Sequence, residues 1–206
     1  MDGVFMFKLI KMCVFCFLAA FLVWFGTVLA DRQTLNENVI RFHVVANSDS
    51  EADQTVKLQI RDAVVEYLQP VLAELPSAEE AKAWLEEHLE ELKAVADRIL
   101  TENGFSETAT VTVQKEAFDT RQYDTFTMPA GVYDALRITV GEGKGQNWWC
   151  VVFPQLCLPA SGEDLEAEAA GAGFSDGLTG ALEGEYTVRF LLLDLLGRLE
   201  KILFGS

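Results

Sequence analysis

Between Met12 and Ala30 the chain is an unbroken run of uncharged, mostly apolar residues, entered directly from Lys8 and Lys11. As a helix this run is roughly 28 Å long, enough to cross a hydrocarbon core. After Asp31 the pattern becomes that of a soluble domain. Val39 to Ala46 is β-branched and aromatic with a rough alternation, and Asn47-Ser48-Asp49-Ser50 follows it, which predicts a strand running into a helix cap. Ser50 with Asp53 has the spacing of a capping box. Val56, Ile60, Val64, Tyr67, Leu68 and Val71 recur at helical spacing until Pro70 and Pro76 close the segment. Ser77 opens a second helix with the stripe Ala81, Trp84, Leu85, His88, Leu92, Val95, Ala96 and Ile99, stopped by Asn103-Gly104.

The period then changes to two. Ala109, Val111 and Val113 alternate with threonines as in a half-buried strand. Tyr133 to Val140 and Trp148 to Phe153 flank Gly141-Glu142-Gly143-Lys144-Gly145-Gln146, which predicts a β-hairpin. Two amphipathic helices followed by a mainly antiparallel sheet make an α+β domain. Residues 1–30 are read as a signal peptide or signal anchor, 31–158 as that domain, and 159–185, rich in Gly, Ala and acidic residues, as a flexible linker. Residues 186–206 form a C-terminal amphipathic helix: Val188, Leu191, Leu192, Leu195, Leu196, Leu199, Ile202 and Leu203 fall on one side, opposite Arg189, Asp194, Arg198, Glu200 and Lys201. Its docking place is the domain core, a partner or the membrane surface, the last being disfavoured by a mixed rather than basic polar face.

Charge sharpens this division. The chain has a net charge of −16, which repels phosphate backbones and argues against a nucleic-acid partner. Lysines occur before the apolar run and none within it, so the positive-inside rule keeps that end cytoplasmic and places Asp31 onward across the membrane, with residues 9–30 as the membrane contact. Val28-Leu29-Ala30 offers a signal-peptidase site, while the length of the run favours retention; both readings stand. In the exported part only Cys150 and Cys157 remain as a potential disulfide, which requires a chain reversal near Phe153-Pro154-Gln155; two buried thiols are the other reading.

Candidate chemistry is sparse. His43, Asp49 and Ser48 or Ser50 have the residue types of a triad without a nucleophile elbow. Asn47, Asp49, Glu51 and Asp53 alternate like a calcium loop but lack its central Gly and terminal Glu, and no zinc-ligand spacing occurs, so no metal or other cofactor is expected. The glycines of 141–145 lack phosphate-loop spacing. Trp148 and Trp149 are more informative: adjacent strand residues point to opposite faces, so one fills a core and the other meets a second layer or a partner.

Four blocks together carry a resemblance. They are Ile40 through Ser50, Lys57 with Arg61-Asp62-Ala63-Val64, Pro129-Ala130-Gly131 with Tyr133 and Ala135-Leu136-Arg137, and Gly141-Glu142-Gly143 through Asn147-Trp148-Trp149-Cys150-Val151-Val152-Phe153-Pro154. Over residues 36–158 the chain resembles the stage II sporulation protein R family of endospore-forming bacteria. The resemblance implies a signal rather than an enzyme: a protein exported from the forespore into the space facing the mother cell, where it activates a membrane-embedded protease that processes pro-sigma-E. The partner expected is thus the extracytoplasmic face of that protease. No catalytic residues are implied. Partner-binding candidates are His43, Asn47 and Asp49, with Trp148 and Trp149. The alternative is an exported hydrolase acting on cell-wall material through His43, Asp49 and Glu142.

Overall fold

A computed structural model describes residues 3–157, 162–184 and 187–204. Residues 158–161, 185–186 and 205–206, which the expected domain, linker and terminal helix include, lie outside the described residues. The apolar run lies within one helix, α1 (Gly3–Asn38), which continues past the boundary expected at residue 30. Phe5 through Val23 are exposed, but Trp24 is half-buried and Val28 and Leu35 are fully buried. The end of the apolar helix is therefore part of the domain's core.

Strand β1 (Ile40–Val45) is buried along its whole length. Helix α2 (Glu51–Leu72) begins as its sequence predicts, with the Ser50 hydroxyl accepting from the Asp53 N–H at 3.1 Å. It runs through Pro70, which stands in its last turn. The second expected helix is two, α3 (Ala78–Glu87) and α4 (Leu89–Glu102). The break is at His88, whose backbone turns to φ −109°, ψ 22° while its ring stacks on Trp84 with centroids 3.9 Å apart. A single apolar stripe survives such a kink because Leu85 and Leu92 still reach the same core, so periodicity alone does not reveal it.

The strands β2 (Ala109–Phe118), β5 (Gly131–Val140) and β6 (Asn147–Phe153) join β1 in the order β2-β5-β1-β6. The short strands β3 (Arg121–Gln122) and β4 (Thr127–Met128) form a separate hairpin. Two of the three pairings in the main sheet are antiparallel, and β1 with β5 is parallel. The predicted β5–β6 hairpin is corrected: β1 lies between these strands, with Arg41 opposite Ala135 on one side and Val151 on the other. The connecting residues cross over the end of β1 instead of folding β6 back on β5. Gly145 donates its N–H to the Ala46 carbonyl at 2.9 Å, and Lys144 donates to that of Asn47 at 3.1 Å. A Cβ on Gly145 would sit 2.3 Å from the Ser48 carbonyl oxygen, so this crossing requires glycine.

Helices α2, α3 and α4 cover one face of the sheet over Phe42, Val44, Leu136 and Ile138. The other face, with Phe118, Tyr133 and Val151, is covered by α1 and by the C-terminal segment. That segment corrects the linker expectation. It contains α5 (Gly162–Gly171) and α6 (Asp176–Glu183), followed by α7 (Val188–Phe204). Few large apolar residues are present, yet Phe174, Leu178 and Leu182 are buried, and the Ser175 hydroxyl caps α6 by accepting from the Leu178 N–H. Ala169, Ala172 and Ala181 are buried beside them. Of the three docking places considered for α7, the structure shows the domain core, but not by the expected face: Phe190, Leu193 and Gly197 turn inward, flanked by Arg189 and Glu200, while Val188, Leu191, Leu195, Leu199 and Ile202 of the expected apolar side are exposed. Gly197 is so close to β5's entry that a Cβ there would meet the Ala130 oxygen at 1.6 Å.

Candidate functional site

Sequence blocks far apart in the chain converge where the 141–146 connection crosses β1. Asn47 accepts the Glu142 N–H on its side-chain oxygen at 3.0 Å, and Asp49 accepts that of Gln146 at 2.7 Å. Lys57, on α2, donates to the Gln146 carbonyl at 3.2 Å. Burial lowers the Lys57 ammonium's pKa from its ordinary value, with the Asp49 charge opposing the shift. One turn further along α2, the Arg61 guanidinium lies 5.0 Å from the centre of the Trp148 ring. Asn47 and Asp49 thus shape the turn and hold Trp148's strand in place.

The two tryptophans do separate to opposite faces. Trp148 meets Phe42 edge-on at 5.9 Å on the helical side. Trp149 lies on the other face, edge-on to Phe118 at 5.3 Å, stacked on His43 and covered from outside by Arg121 at 4.9 Å. Both indoles remain half-exposed. They stand on β6, an outer strand of the sheet. Beside this edge runs a groove of about 460 Å³, walled by Trp148, Trp149 and Cys150 on one side and by the β3–β4 hairpin residues Gln122 to Phe126 on the other. Cys150 and Cys157 are bridged, with Cα atoms 5.3 Å apart, so the chain returns past Pro154 and closes the groove's end.

His43 is buried and its carboxylate neighbour is Glu116, at 3.1 Å but outside hydrogen-bond alignment, rather than Asp49. Burial raises Glu116, but contacts with His43, Gln114 and Arg137 outweigh it and hold this carboxyl below its ordinary value. Glu142 pairs with Lys144 at 2.6 Å and is exposed. The structure therefore unites Asn47, Asp49 and Trp148 around the turn, joins His43 to Trp149 on the other face, and does not assemble His43, Asp49 and Glu142. Among the described residues no cluster of three metal-ligating side chains occurs.

One residue escaped the sequence reading. Arg41 is completely buried, donates to the Tyr123 hydroxyl at 2.9 Å and lies 4.5 Å from the Phe118 ring centre. Aromatic faces take the place of a carboxylate around this cation; among the described residues none is within ion-pair distance. The available signal was an arginine two positions from His43 on a strand, which sets both on the same face. Through Tyr123, Arg41 fixes the hairpin that forms the groove's far wall.

These features define a class: an α+β domain carried on a long apolar helix, with an aromatic groove along an outer strand. The model of the family described as Stage II sporulation protein R (spore_II_R) matches residues 36–162. Stage II sporulation protein R of Bacillus subtilis (strain 168) is 36% identical over 159 residues, covering 73% of this chain and 71% of that protein. The chain belongs to the stage II sporulation protein R family. No solved structure matches it.

Proposed function

We propose that this protein is an exported sporulation signal that activates a membrane-embedded protease processing pro-sigma-E, by binding that protease from the space between forespore and mother cell. Its role is recognition rather than catalysis. The observation that carries the reading is the groove at β6, where Trp148 and Trp149 flank an outer strand next to a hairpin wall. An extended segment of the protease can add to this edge beside Trp149, short of Val151, whose carbonyl already accepts the Leu156 N–H at 3.2 Å, while its side chains meet the aromatic rings. Family membership supplies the sporulation setting.

Binding activates only by favouring one state of the protease over another. A preference of about 1.4 kcal/mol shifts that equilibrium tenfold, within reach of one indole anchor. Co-expression with the cognate protease and its pro-sigma-E in a non-sporulating host tests the reading. Cleavage is expected only when the domain is exported. Cleavage without it, or none with all three proteins folded and correctly placed, overturns the reading.

A further inference from the structure

The apolar run of α1 and the folded domain overlap. Met12 to Ala30 is barely long enough to span a bilayer, at roughly 28 Å against about 30 Å. Yet its last two turns already belong to the domain, with Trp24 packed on the second core and Val28 fully buried. A domain held clear of the membrane would leave Phe5–Val23 to cross it, which would draw Lys8 and Lys11 into the hydrocarbon. Whatever packs on these turns must therefore sit at the bilayer's outer boundary.

Helix α7 has this position. Arg189 pairs with Asp31, and Glu200 with Arg32 and Asn36. About 16 Å of α7 is thus matched to less than half that length of α1, so α7 lies across α1 at the end of the apolar run. With its inner side on the core, α7 leaves Val188, Leu191, Leu195, Leu199 and Ile202 exposed, at 66%, 50%, 53%, 48% and 79%. These five recur every three or four residues and make one continuous apolar stripe. The charges at the crossing neutralise one another: Asp31 and Arg32 are both nearly buried and each has its partner on α7. Arg198 and Lys201 border the stripe on long stems that reach back to Asp194 and Asp119.

We infer that α7 is a membrane-surface helix: with α1 spanning the bilayer, the stripe Val188–Ile202 lies in the lipid interface and sets the domain flat on the membrane. Lipid is the occupant because α1 delivers α7 to the boundary, irrespective of any protein partner. The attraction is apolar, since a chain of net charge −16 gains nothing from anionic lipid. This placement holds the β6 groove at a fixed height, but it does not depend on the function proposed for that groove.

The test uses the full chain with Cys13→Ala and Cys16→Ala, the Cys150–Cys157 bridge intact, and a single environment-sensitive label at Leu195→Cys. Leu191→Cys gives a second reporter, and Glu102→Cys on α4 is the distant control. The protein is reconstituted into phosphatidylcholine vesicles with or without lipids carrying a nitroxide near the headgroup. Blue-shifted emission and at least twofold quenching are expected at Leu195 and Leu191, with neither at Glu102, unchanged when anionic lipid or salt is added. Water-like, unquenched emission at Leu195 and Leu191 overturns the proposal. Blue-shifted emission that lipid nitroxides do not quench also overturns it, because the stripe is then covered by protein, such as a second copy.

Discussion

The imidazole of His43 and the indole of Trp149 lie face to face, with ring centroids 4.6 Å apart and planes within 3° of each other. His43 is buried and Trp149 half-exposed, so an inner ring fixes the orientation of an outer one. An aromatic anchor held in this way loses little conformational freedom on binding. His43 thus positions Trp149 from inside the fold, and in the recognition proposed above it acts through that ring.

Trp149→Ala should reduce pro-sigma-E cleavage in the co-expression assay at least tenfold, while Trp149→Phe keeps most of it. Circular dichroism of both variants should retain the native helix signal. Normal cleavage with Trp149→Ala would remove this residue from the interface.

Gly145→Ala should be among the most damaging small substitutions in the domain. Its methyl group would enter the Ser48 carbonyl, a backbone atom that cannot rotate away. A loss of about 2–4 kcal/mol is expected from the resulting shift of packed backbone, read as a fall in the urea midpoint. Gly104→Ala, with nothing near its Cβ but a φ of +78°, should cost only about 1 kcal/mol.

Burial raises Asp194's carboxyl pKa, but the Ala130 N–H, the Thr120 hydroxyl and Arg198 more than compensate, leaving it below its ordinary value. A carboxyl lowered by folding stabilises the fold above its unfolded pKa of about 4, and that contribution disappears as the pH falls through the lower folded value. The wild type should therefore exceed Asp194→Asn in urea midpoint at pH 7, with the difference shrinking below about pH 4. A difference independent of pH would show that the charge is irrelevant to α7 docking.

Thiol titration of the denatured, unreduced chain should find Cys13 and Cys16 only, since Cys150 and Cys157 are bridged. Reduction opens a short loop, which should cost about 2–3 kcal/mol. The loss should appear as a lower thermal midpoint in the presence of reductant.

What was legible in the sequence was local. The Ser50 and Ser77 caps, the apolar stripe of α2 and the alternation of β2 each depend on neighbours a few residues away, and each has its expected element. The place of β1 between β5 and β6 depends on how Asn47 and Asp49 hold a turn nearly a hundred residues later, which no periodicity reports. The helices at 162–183 were hidden because alanines such as Ala169 and Ala181 supply part of their buried side, so few large apolar residues mark it. Trp148 and Trp149 were visible as opposite-facing residues, but the groove needed Tyr123 and its bond to Arg41.

The central position of β1 also bears on biosynthesis. This strand leaves the ribosome first, but both of its neighbours, β5 and β6, are among the last strands made. At about 5–20 residues per second, β1 waits roughly 4–17 s for β5 and longer for β6. During that interval β1 has neither neighbour, and the native sheet cannot close around it. For a chain exported as proposed, this delay is useful: a polypeptide that cannot finish folding until its last strand emerges stays thin enough to be threaded through a membrane channel.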